Sequence, residues 1–292
     1  IKDLDGPEHD VASLSTVLPS WGFSERNIKT LINAEATKSN IMASLEKLEQ
    51  KASPGDQLFI YFSGHGTSPY DKEFGLEMPH TTGAFIPYDA MVDKKLTNTQ
   101  ILNSLIVGQK DLRPVFKKMD KNKQVFVVFD ACFSENLARS FTENAIKPQP
   151  RAVRLPVFML SNSVATSNAN RQKEETYPYK NVIVFSASAK HETAGDFHHL
   201  MDLSYLTYDG KPHGIFTDAL LRVLTGEIPA DADGDKSLSY METYIAASRY
   251  LGKQSAQSPK LHYLRNSGIA SLPILSATTG QLMQNIQIPF IQ

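Results

Sequence analysis

The chain has 292 residues, 41% hydrophobic and 21% charged, with 30 basic side chains against 31 acidic ones. Such a chain can bury a sizeable core as one large domain or two small ones. A formal net charge of −1 provides no general basic field for nucleic acid or an anionic membrane, and no apolar run approaches the length of a membrane span. Cys132 is the single cysteine, which excludes an intrachain disulfide framework and a Cys-rich zinc site and fits a reducing, cytoplasmic setting. No signal-peptide pattern opens the chain, and because Ile1 reads as mid-domain, further residues are expected upstream.

In chain order, Val11, Leu14, Val17 and Leu18 are apolar at helical spacing and predict a helix over residues 10–23, stopped by Gly22. Ile41, Leu45 and Leu48 predict a second over 41–52. Pro54-Gly55-Asp56 is a turn, and the apolar, β-rich run 58–62 reads as a buried strand. Residues 67–96 read as a long loop with a short strand at Ala84-Phe85-Ile86. Thr97 is placed to cap a helix over 98–107, and another helix starts over 111–119. A second continuous apolar strand runs from Gln124 to Cys132. Residues 136–180 are polar and basic without sustained period, a third strand covers 182–188, and helices follow at 214–226 and about 238–251. Buried strands alternating with helices predict an α/β fold with a mainly parallel sheet covered on both faces.

Two of these strands end in reactive groups. The first stops in Ser63-Gly64-His65-Gly66, the second in Asp130-Ala131-Cys132. Sites in open α/β sheets form outside the carboxyl ends of strands. If the two strands are parallel neighbours, His65 and Cys132 share one edge, as an imidazole acid/base and a thiol nucleophile. The glycines beside His65 would let a substrate backbone approach, and the Gly66 N–H could face a developing oxyanion. From spacing alone, a structural histidine and a small buried cysteine remain the other reading.

YFSGHG at 61–66 and DACFSE at 130–135, in this order, resemble the caspase-like cysteine peptidases of family C14, of the metacaspase and bacterial orthocaspase type. Gly6-Pro7-Glu8-His9-Asp10, the segment Gly83 to Asp89, Val184 to Ser188, and His213-Gly214-Ile215-Phe216-Thr217 resemble further motifs of that family. The similarity spans roughly residues 5–255. It implies a caspase-like three-layer sandwich with a p20-like part over 1–140, a linker over 141–180, a p10-like part over 181–255 and a C-terminal extension over 256–292. Two features depart from the pattern: the family's first strand, which normally precedes the Gly6 region, is not in this chain, and Glu135 stands where glycine is more usual.

The resemblance also implies roles. His65 would be general base and then acid, Cys132 the nucleophile, and the backbone N–H groups of Gly66 and Cys132 the oxyanion donors. Asp10, Ser63 and Asp130 would line the pocket for the residue before the cut, the P1 residue, so cleavage is expected after Arg or Lys. Asp130 lies two residues before Cys132, and strand alternation lets both side chains point the same way. The bland alternatives are a helix N-cap for Asp10 and a structural turn for Asp130. Arg139, Lys147, Arg151, Arg154, Arg171, Lys173 and Lys180 in the linker would be targets for self-processing.

Asp231, Asp233, Asp235, Ser237 and Glu242 stand at positions 1, 3, 5, 7 and 12 of an EF-hand-like loop, with Lys236 at the usual glycine position. Calcium bound there would activate or stabilise; none is required for the chemistry. The plainer reading is an acidic turn with Ser237 capping the next helix. The expected partners are protein or peptide substrates with a basic P1 residue, and the expected state is a monomer. A caspase-like scaffold that binds without cutting, or a zymogen awaiting an activator, is the alternative reading.

Overall fold

The computed structural model describes residues 3–67, 83–91, 93, 95–131, 149–150, 177–188, 194–199, 201, 203–204, 206–255 and 257–274. Cys132, Glu135, nearly all of the basic linker and the last stretch of the extension lie outside the described residues.

Three buried strands form the centre of the main sheet. β1 (Gln57–Gly64), β5 (Gln124–Ala131) and β7 (Val182–Ser186) are parallel, and β9 (Lys260–His262) closes the order β1-β5-β7-β9 as an antiparallel edge. Their side chains divide by strand alternation. Phe59, Tyr61, Phe126, Val128, Ile183 and Phe185 enter one core with α1 (Gly6–Val17), α5 (Ile215–Leu224) and α6 (Tyr240–Gln254). Leu58, Ile60, Phe62, Val125, Val127, Val182 and Val184 enter the other with α2 (Lys38–Lys51) and α4 (Arg113–Met119). The result is the helix–sheet–helix sandwich that the continuous apolar strands imply, since such strands must be covered on both sides. A smaller antiparallel sheet joins β2 (Gly66–Thr67), β3 (Ala84–Phe85) and β4 (Ile106–Val107), and β6 (Gln149–Pro150) pairs with β8 (Gly195–Asp196). α3 (Asn98–Ser104) precedes β4, and Thr97 and Gln100 close a capping box at its start.

Element ends differ from the sequence expectation where a local group intervenes. α1 begins at Gly6, with Pro7 in its first turn, and gives way to a 3-10 turn at Leu18–Trp21. Pro19 has no N–H to continue the helix, and Gly22 turns the chain away at φ 92°. The helix expected up to residue 107 stops at Ser104, because Ile106 and Val107 pair with β3 instead. The cap of α6 is Ser239, not Ser237: its hydroxyl accepts the Glu242 N–H, while the Glu242 carboxylate accepts from Ser239.

Candidate active site

β1 and β5 run side by side to their carboxyl ends, with Ser63 opposite Asp130 and Gly64 opposite Ala131. Gly64 takes φ 156°, open to glycine and strained for other residues, and turns the chain out of the strand just before His65. His65 is only 6% exposed, so the ring lies within the fold at the sheet edge. Its carbonyl accepts the Ile86 N–H at 3.0 Å. By the alternation of an antiparallel ladder, the next pair, Gly66 and Phe85, is then a non-hydrogen-bonded one. The Gly66 N–H therefore points off the ladder, on the side of β2 where no described strand pairs. Phe85 stacks against Phe62 and Phe129, fastening the β2–β3 hairpin to the main sheet. Cys132 follows Ala131 directly in sequence.

Ser63 and Asp130 both project on the α1/α5 side, since each continues the alternation that sends Tyr61 and Val128 there. Ser63 donates its hydroxyl to Asp10 Oδ2 at 2.7 Å. Asp10 Oδ1 accepts from the Gly214 N–H at 3.0 Å and faces His213 Nδ1 at 2.9 Å. Asp130 Oδ2 accepts both the N–H and the hydroxyl of Thr217, at 3.0 and 2.6 Å, and the Thr217 hydroxyl also meets the Tyr61 hydroxyl. Asp10, Ser63 and Asp130 are each 0% exposed. The three residues expected in the P1 pocket are thus brought into one buried cluster. Both carboxylates reach the first turn of α5, where unsatisfied N–H groups and the helix dipole favour negative charge. Neither bland reading describes them: Asp10 lies inside α1, whose N-cap is Asp5, and Asp130 lies within β5.

His213, Gly214, Thr217, Tyr61 and Asp209 were not assigned to this site from sequence. His213-Gly214-Ile215-Phe216-Thr217 was legible as a family motif, yet nothing local says that its polar members reach Asp10 and Asp130. His213 is buried, and its Nε2 lies 2.8 Å from Asp209 Oδ1. Burial disfavours its charge, but the hydrogen bonds and charges of Asp10 and then Asp209 outweigh this and raise its pKa above the usual imidazole value. Asp209 is lowered in turn: its partial burial acts the other way and is overcome by His213, with the Lys211 N–H and the Ser13 hydroxyl adding support.

The acidic loop is of another kind. Asp231, Asp233 and Asp235 are exposed, and one carboxylate oxygen from each lies within 4.8 Å of the others. They bond to their own loop: Asp231 accepts from Gly234 and Lys236, Asp233 from Asp235, and Asp235 from Ser237. Lys236 takes φ 68°, the backbone turn that glycine provides in an EF-hand. The Glu242 carboxylate accepts from Ser239 and from the Ala232 N–H, which lowers its pKa. The three aspartates have donor atoms suited to a hard cation, while Glu242 already serves as the partner of the α6 cap.

A family model described as the caspase domain matches residues 1–278. The chain belongs to the caspase domain family. Among curated caspase-family proteins, metacaspase-6 of Arabidopsis thaliana is 28% identical over 141 residues, covering 46% of this chain and 34% of that protein. Metacaspase-1B of Aspergillus fumigatus is 28% identical over 138 residues, covering 45% of this chain and 31% of that protein. The matches therefore span about a third of those relatives' length. A solved structure of a Geobacter sulfurreducens protein shares the fold, with a TM-score of 0.61 at 17% identity over 95% of this chain and 91% of that one. The caspase-like three-layer sandwich expected from the motifs is the fold observed. No described helix is long and apolar enough to cross a membrane.

Proposed function

We propose that this caspase-family chain is a cysteine endopeptidase that cuts proteins after Arg or Lys. The observation that carries the reading is the buried Asp10–Ser63–Asp130 cluster at the joined carboxyl ends of β1 and β5, beside His65. Two buried carboxylates and a hydroxyl suit a guanidinium or ammonium and repel an acidic P1 side chain. In this reading the Cys132 thiol gives its proton to His65 and attacks the scissile carbonyl. His65 returns that proton to the leaving amine, and water then hydrolyses the thioester. The outward N–H of Gly66, with that of Cys132, would receive the carbonyl oxygen as it gains charge. The basic residues of the linker would be substrates in cis, giving self-processing, and the working unit would be a monomer.

A paired fluorogenic assay tests this: Arg-ending against Asp-ending peptides, with and without calcium, on the wild type and Cys132→Ala. The expected result is cleavage of the Arg-ending peptide alone, abolished by the substitution. Cleavage of the Asp-ending peptide with the Arg-ending one untouched would defeat the pocket reading. Labelling of Cys132 by a basic peptidyl chloromethyl ketone would separate an active enzyme from a silent scaffold.

A further inference from the structure

The wall of the proposed P1 pocket carries an imidazole flanked by acidic groups. His213 stands between two carboxylates, Asp10 at Nδ1 and Asp209 at Nε2, at 2.9 and 2.8 Å. With both carboxylates ionised, each can only accept, so both ring nitrogens donate and the ring is an imidazolium. Its charged and titratable neighbours come from each element packed on it. They are Asp10 and His9 from α1, Asp209 and Lys211 from the preceding turn, and Asp218 from α5, itself paired with Arg222. The balance of these charges is acidic, in keeping with a raised pKa for the ring. The counter-ion shared with the pocket is Asp10, whose other oxygen is held by Ser63.

We propose that His213 is a proton-linked counter-ion of the P1 pocket: its proton and a basic P1 side chain compete for the charge of Asp10, so proton loss from His213 strengthens the binding of Arg and Lys. This rests on the P1 reading above and adds its regulation. The sign follows from the geometry. A neutral His213 can keep its remaining proton on Nδ1, so Asp10 retains its hydrogen bond and its place. The partner lost is Asp209, whose side chain is 21% exposed and can turn to water. Deprotonation therefore removes a positive charge from the pocket wall without loosening the carboxylate. Two cations on one carboxylate repel each other, and even at a dielectric close to that of water, unit charges about 4 Å apart give an effect of about three- to tenfold in affinity. By linkage, binding of a basic P1 side chain expels the proton from His213.

The test is peptide binding to the full chain carrying Cys132→Ala, which removes turnover and the thiol's own titration. Calorimetry would give Kd for a peptide ending in arginine and for the same peptide ending in citrulline, across pH and in buffers of different ionisation enthalpy. The expected result is a Kd for the arginine peptide that falls about three- to tenfold as pH rises through the pKa of His213, with proton release in that range and neither effect for citrulline. His213→Asn keeps a donor at the Nδ1 position without the charge. It should bind arginine tightly throughout and release no proton. Asp209→Asn, at a part-exposed site, should shift the transition to lower pH, because one of the carboxylates raising the ring's pKa is gone. A merely structural role predicts the opposite, weaker binding in both variants. If arginine binds no better than citrulline, the P1 reading itself falls and takes this inference with it. If arginine is preferred but its Kd ignores pH, or rises with pH, or does not respond to Asp209→Asn, the linkage alone is overturned.

Discussion

Two acidic clusters sit at opposite extremes of burial in the same fold. In the buried one, Asp10 and Asp130 are held by groups from β1, α5 and the turn before α5, each remote in sequence. In the exposed one, Asp231, Asp233 and Asp235 are held by the backbone of their own short loop. Both concentrate negative charge. The first answers it with fixed donors and the ring of His213, because burial leaves no alternative. The second leaves most of the task to water. A carboxylate cluster thus becomes a structural commitment only where the fold withdraws solvent from it.

The sharpest way to break this comparison is to remove one member from each cluster. Asp10→Ala leaves His213 buried beside a missing partner, and chemical denaturation should register a loss of about 3–5 kcal/mol. A loss below about 1 kcal/mol would mean that the buried cluster is no more committed than the loop. Thr217→Val strips the hydroxyl that links Asp130 to Tyr61 while preserving shape. The expected loss is about 1–3 kcal/mol, by the same measurement. Ser239→Ala, which removes the cap of α6, should lower stability by about 1 kcal/mol. Asp233→Ala should change it by less than about 0.5 kcal/mol. Calorimetric titration with calcium on the wild type and this variant reads the loop's other capacity, and any heat of binding should vanish in the variant.

Titration separates the clusters further. The pKa of His213 is raised in the fold, so its contribution to stability is complete below the ordinary imidazole value and is lost as pH rises through the raised one. Asp209 is lowered, so its contribution is present above the ordinary carboxylate value and is lost as pH falls through the lowered one. Unfolding free energy should therefore decline on both flanks. The alkaline flank should vanish in His213→Asn and begin at lower pH in Asp209→Asn.

The three-layer fold was legible because its cause is local and repeated. Continuous apolar runs such as Leu58 to Phe62 and Val125 to Val128 require cover on both faces, and strand alternation assigns each residue to a side. The candidate residues were named from sequence, and the structure describes all of them except Cys132. His65, Cys132, Asp10, Ser63 and Asp130 were picked out by motif, and the register of β1 and β5 sets Ser63 beside Asp130. The anchoring partners were not, since the bond from His213 to Asp10 spans 203 positions and leaves no periodic trace. Ser239 was missed as the cap of α6 for a different reason. Its Glu242 partner three residues on is a readable capping box, but the EF-hand spacing claimed that glutamate first.

The long reach between Asp10 and His213 also has a meaning for how the protein is made. A chain emerging from the ribosome presents Asp10, Ser63, His65 and Asp130 well before residues 213–217 exist. Until the first turn of α5 arrives, the two carboxylates have neither its N–H donors nor His213, and the cost of burying them unpaired keeps the cluster hydrated and open. The buried carboxylate cluster is thereby a late product of synthesis. A nascent fragment carrying Asp10, Ser63 and Asp130 stays without the finished cluster until residues 213–217 have been translated.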